Sequence, residues 1–188
     1  MVELPKLTPE HFEILVLREL RKAGLEVSEL RLHRRSTLPE PEGEYLLELT
    51  GLVGRTPERR RVLIACRRQQ ASIGRAEVES LKAHLKEAGV EAGILFGTAA
   101  FEPDALHAAQ GSPLALLRVT DGRTAFHTSG WGPPGHYPAW LPAYCAQAVG
   151  RDLLGQPRYQ LLETGDGELI LKRLETEPAA DATPRNRM

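Results

Sequence analysis

VLIACRRQQASIGRAEVESLKAHLKEAGVEAGILFGTAAFEPDALHAA, residues 62–109, is the stretch whose reading decides the fold. It opens on an apolar run of strand length and turns polar at Arg67, Arg68, Gln69 and Gln70. Beyond Gly74, the apolar residues Val78, Leu81, Leu85 and Ala88 recur at helical spacing, and Gly89 stops the helix. AGILFGT is short, wholly apolar and bounded by glycine, as expected of a central strand buried on both faces. FEPDALHAA then reads as a short helix. Strand, helix, strand and helix in succession imply parallel strands joined by right-handed crossovers.

Working outward, Thr8-Pro9 is a helix start, because threonine caps free N–H groups and proline lacks one that would be unpaired anyway. Phe12, Leu15, Val16, Glu19, Leu20 and Ala23 follow at helical spacing up to Gly24. LEVSELRLHR alternates as a strand, residues 36–43 form a loop, and EYLLELTGLV and RRVLIACR are two strands joined through a hairpin turn at 54–58. On the C-terminal side, PLALLRVTDG is another buried strand ending in an Asp-Gly turn. From Arg123 the chain becomes turn-rich and aromatic. Trp140, Leu141, Tyr144 and Ala148 suggest a helix over 139–149, and Gly165-Asp166-Gly167 suggests a second hairpin. The expected organisation is a domain over 1–124, an extension over 125–174 packed on it, and a disordered tail over 175–188.

A length of 188 residues suits one main domain. No apolar run reaches membrane-spanning length, and MVELPKLTPE lacks the features of a secretion signal, so the expected location is the cytoplasm. Cys66 and Cys145 are far apart, and no two of the six histidines fall at i, i+4 on an expected helix, which argues against disulfide or zinc frameworks. Dinucleotide, Walker A and G-x-S-x-G motifs are absent. The net charge is −1, yet residues 31–75 hold ten arginines against five glutamates, enough positive potential in one block to suggest a phosphate backbone as partner.

The long stretch, with FEILVLRELRKAGLEV, YLLELTGLV and LALLRVTDG, resembles the Mrr-like type IV restriction endonucleases of the PD-(D/E)XK nuclease superfamily over residues 12–122. The resemblance implies a restriction-endonuclease-like α/β fold in three layers around a mixed central sheet, in the order α-β-β-β-α-β-α-β, here followed by the C-terminal helix and hairpin. It also implies two acidic groups, one from each hairpin strand, that hold Mg²⁺ against the scissile phosphate, and a lysine that acts on the attacking water. Carried over by position, the first acid falls on Glu48, where the family has Asp, and Glu/Gln-x-Lys falls on Ala65-Cys66-Arg67. Alanine cannot bind a metal, Arg67 stays protonated and cannot be a base, and Glu48 is one methylene too long. Glu13 on the first helix matches a position that is often acidic in the family. The expected site is therefore degenerate: Glu48, Arg67 and Glu13, with no cofactor, or Mg²⁺ on Glu48 if activity remains.

Three functions follow. The first is a nuclease relative that binds DNA without cleaving it, through Arg59, Arg60, Arg61, Arg67, Arg68 and Gln69. The second is a protein-interaction module that uses the aromatic segment 131–144. The third is an active Mg²⁺-dependent DNA endonuclease whose missing carboxylate has moved to Glu77 or Glu79, residues that otherwise belong to a solvated helix face near Lys82 and Lys86. A homodimer is compatible with each.

Overall fold

The computed structural model describes residues 5–38, 43–133 and 135–175. Helix α1 (Pro9–Lys22) starts where expected, with Thr8 Oγ1 accepting from His11 N at 3.2 Å. Its buried stripe is Phe12, Leu15, Val16, Glu19 and Leu20. Strands β1 (Glu26–Thr37), β2 (Tyr45–Arg55) and β3 (Glu58–Arg68) form an antiparallel meander. β1 is an edge strand with register shifts after Ser28 and Leu32, and Glu29 there has φ +53°. Such bulges twist an exposed edge away from further pairing.

Helix α2 (Arg75–Ala88) carries β3 into the parallel strand β4 (Ala92–Gly97), and α3 (Pro103–Ala109) carries β4 into the parallel strand β5 (Leu114–Asp121). Gly89 ends α2 in the left-handed region at φ +67°, which favours glycine. From α1 through β5, the observed order is the expected one.

The C-terminal third departs from its sequence reading. Residues 139–149 do not form a helix: Tyr144–Arg151 is a strand, β6, antiparallel to β5. Pro138 and Pro142 break any helix entering this segment, and the free edge of β5 offers it a full set of hydrogen-bond partners. The expected second hairpin is also replaced. Pro157–Leu161 forms β7, paired with β6, but Gly167–Leu174 is helix α5, whose Ile170 and Leu174 are buried four residues apart. That spacing is helical, whereas a strand would have buried alternate residues. Asp121 starts a further short helix, α4 (Gly122–Thr128), by accepting from Thr124 N at 2.9 Å.

Among the described residues, one seven-stranded sheet results, in the order β1-β2-β3-β4-β5-β6-β7. α1 and α5 cover one face with Val62, Ile64, Cys66, Ile94 and Phe96 beneath them. α2 and α3 cover the other, over Leu46, Leu63, Ala65 and Leu95. The tail expected to be disordered lies outside the described residues from 176 on. Among the described residues, no helix is long and apolar enough to cross a membrane.

Candidate functional site

Hairpin register decides which charged groups meet. Glu48 stands opposite Ala65, and Leu46 opposite Arg67. Side chains alternate along a strand, so Glu48, Ala65 and Arg67 all point to the α2 side, while Cys66 points to the α1 side. A methyl group, that of Ala65, faces Glu48.

Glu48 is 1% exposed and its carboxylate is closed by cationic and imidazole groups. Oε1 lies 2.5 Å from His84 Nδ1 on α2, and Oε2 lies 3.3 Å from Arg34 Nε on β1. The latter contact is an ion pair without hydrogen-bond alignment, since neither atom has a hydrogen-bond partner. The Arg34 guanidinium also pairs with Glu87, one turn beyond His84. This network joins β1, β2 and α2 beneath the crossover.

Arg67 sits at the carboxyl end of β3 and donates from Nη1 to Gln69 Oε1 at 3.4 Å. Burial lowers its pKa, while the carboxylates of Glu77 and Glu48 act in the opposite direction. Its charge therefore faces two acids of the same chain. Beside it in the sheet is Gly97, where a Cβ would come within 2.0 Å of Ile73 Cδ1. A larger residue there would force the Ile73 side chain, in the loop after β3, to shift. Gln69 fastens that loop: its N–H donates to Thr98 Oγ1 at 3.0 Å, and its buried side chain donates to Ala71 O at 3.0 Å.

Glu77 was expected either to have taken over the missing carboxylate or to lie on a solvated face. It is half-buried, with Oε2 accepting from Gly74 N at 2.9 Å and Oε1 lying 3.5 Å from Gln69 Nε2. Glu79 is exposed and pairs with Lys82 at 3.3 Å. Glu13 lies on α1, across the sheet from Glu48. Burial, then Glu13 and Glu48 from either side, pushes the intervening Cys66 thiol well up.

Three participants were missed in the sequence. Glu44 is buried just ahead of β2 and accepts from Gln70 N at 2.6 Å. His84 and Arg34 are the others. His84 lies seven residues after Glu77, two turns along the same helix face, and this was a usable signal.

The arginines divide into two groups at opposite ends of β3. Arg59 to Arg67 is eight residues, about 26 Å of strand. At the turn end, Arg61 pairs with Glu29 at 2.7 Å, Arg59 lies 3.9 Å from Glu26, and Arg60 Nη1 donates to Leu174 O at 2.5 Å. At the other end, Arg68 donates to the carbonyl groups of Pro5, at 2.7 Å, and Gly43. In the aromatic segment, Phe126 is buried against Trp131 and Tyr137, and Trp140 is exposed beside Trp131.

A mixed sheet between two helical layers, with a central hairpin that delivers charge beneath a crossover helix, defines the restriction-endonuclease-like class. The chain belongs to the Mrr catalytic-domain family of restriction endonucleases, whose family model matches residues 4–123. A solved structure similar to it is the DNA modification-dependent restriction endonuclease AspBHI, at 20% identity and a TM-score of 0.29. That similarity covers 62% of this chain and 35% of AspBHI, so the chain spans about a third of that protein. None of the curated proteins matches by sequence.

The family implies a divalent cation, and the hairpin residues do not fit one. Ala65 has no ligating atom, both oxygens of Glu48 face cationic or imidazole groups, and Arg67 adds positive charge where a metal would need donors. Among the described residues, no group of three or more His, Cys, Asp or Glu side chains is placed to hold a metal.

Proposed function

We propose that this chain is a DNA-binding member of the Mrr restriction endonuclease family whose nuclease centre does not cleave. One observation carries the loss of cleavage: Glu48 is closed by His84 and Arg34 and faces Ala65 instead of a second acid. An Mg²⁺ site needs free carboxylate oxygens, and this arrangement supplies none at the hairpin. DNA as partner is supported by family membership and by arginine groups at both ends of β3, Arg59 to Arg61 and Arg67 to Arg68. Phosphate contacts of this kind give affinity without reading sequence.

Two assays test this. Plasmid nicking in Mg²⁺ or Mn²⁺ is expected to show no cleavage above background. Fluorescence polarisation with a duplex is expected to show binding that weakens steeply between low and moderate salt. Absence of binding at low salt would remove the nucleic-acid reading.

A second reading, an active endonuclease with a displaced acid, is favoured by the inward turn of Glu77 beside Gln69 and the burial of Glu44 beside Gln70. Clear cleavage abolished by Glu44→Ala or Glu77→Ala would establish it and overturn the first.

A further inference from the structure

At the opposite end of the sheet from Arg67, the β6–β7 hairpin has the sequence Arg151-Asp152-Leu153-Leu154-Gly155-Gln156-Pro157-Arg158. Leu153 and Leu154 at its tip are 105% and 84% exposed. The turn that presents them is tied. Asp152 Oδ1 accepts from Leu154 N and Gln156 N, both at 2.8 Å, and Asp152 N donates to Gln156 O at 2.9 Å. Gly155 takes φ +78° to close it. Single exposed leucines are ordinary, but two adjacent ones held out on a fixed turn add nothing to the fold.

Cations lie next to this tip, whose turn also holds the Asp152 carboxylate. Arg151 and Arg158 flank it in sequence, and Arg151 is steadied by Gln110 Oε1 at 2.8 Å. Two adjoining cavities, of about 260 and 190 Å³, lie at its base and share Arg151 and Arg173 in their walls. Lys172 lines the first, with Glu175 as an acid on its rim, and Arg158 lines the second. Arg151, Arg158, Lys172 and Arg173 form no ion pair among the described residues. β6 runs antiparallel to β5, so this end of the sheet is also where β3 begins, with Arg59 to Arg61. Arg60 joins the two regions by its bond to Leu174 O.

We propose that this end of the molecule binds duplex DNA, with Leu153 and Leu154 as a wedge that enters a groove and parts a base step while the neighbouring cations hold the phosphates. The inference rests on the DNA-binding reading and selects one of its two arginine ends. An apolar point with unpaired cations beside it matches a target with stacked apolar planes between two anionic rails. Leucine is one of the side chains that such wedges use. A two-stranded ribbon is narrow enough to enter a groove.

The test uses the full chain and a duplex with 2-aminopurine at a TA step, where unstacking is easiest. Wild-type protein is expected to raise 2-aminopurine emission on binding. Leu153→Ser/Leu154→Ser is expected to weaken binding about tenfold, the loss of roughly one buried leucine's transfer energy, and to abolish the emission rise even at saturation. Its melting temperature is expected to equal wild type, because the leucines are fully exposed. Binding and emission unchanged by the leucine variant would overturn the wedge while leaving DNA binding intact. No binding by wild-type protein at low salt would overturn both. Leucine-dependent sedimentation with phosphatidylserine vesicles, with DNA affinity unchanged in the variant, would overturn the wedge in favour of an anionic membrane surface.

Discussion

Replacing His84 separates a structural ion cluster from a catalytic remnant. His84→Leu keeps most of the side-chain volume but removes the partner 2.5 Å from Glu48 Oε1. The carboxylate is 1% exposed, so water cannot replace the lost contact. A hydrogen bond to a buried charged group contributes about 1.5–3 kcal/mol, and the unaligned Arg34 contact at 3.3 Å offsets little of its loss. The single variant should therefore lose about 2 kcal/mol, read as a lower urea midpoint at unchanged slope and a melting temperature down by roughly 6 °C for a chain of this size. In Glu48→Leu/His84→Leu, the buried charge is gone and Arg34, 38% exposed, keeps Glu87 and solvent. Replacing a buried pair by apolar residues is commonly neutral or stabilising, so the double variant should return to within about 1 kcal/mol of wild type. A His84→Leu protein within about 0.5 kcal/mol of wild type, the error of such comparisons, would refute the reasoning, as would additive losses in the double variant.

Three further outcomes are expected. Gly97→Ala drives a Cβ against Ile73 Cδ1 and should cost about 1–3 kcal/mol in urea unfolding, with recovery in Gly97→Ala/Ile73→Val, which deletes that methyl. Asp121→Ala removes the α4 cap and should cost about 1 kcal/mol at pH 7. Burial raises the Asp121 pKa, but the Thr124 hydroxyl and amide outweigh it and leave it lowered, so this contribution is present above the unfolded value and is lost as pH falls through the folded one. Burial, then Glu19, pushes the Cys145 thiol up to about 11. Its contribution is therefore full below the ordinary value of 9.0 and is lost as pH rises towards 11, a decline that pH-dependent unfolding should show reduced in Cys145→Ala.

The site was half legible. The strand ending at Arg67 and the absence of an acid at Ala65 can be read directly, because both depend on neighbours in sequence. Glu44 and Arg34 could not be ranked above other surface charges, since what marks them is burial beside a partner many residues away, and His84 offered only its place on the helix face of Glu77. Glu77 read as solvated from its helix position, but the loop over Gly97 turns it inward. The arginine block read as one basic patch, yet strand geometry places its halves at opposite ends of β3, and Glu26 and Glu29 offset part of one half.

Between Phe12 and Asp121, sequence alone determined the elements and their order, because glycine stops, a proline start and the change from period 2 to period 3.6 act within a few residues. It also determined that position 65, opposite Glu48, is alanine. Tertiary structure decided the rest. Residues 144–151 carry no decisive period of their own and became β6 because β5 left an open edge to pair with. Glu48 became a closed carboxylate because β1 and the α2 crossover bring Arg34 and His84 to it from 14 and 36 residues away. Partners at such separations are set by packing and register, which no local pattern encodes.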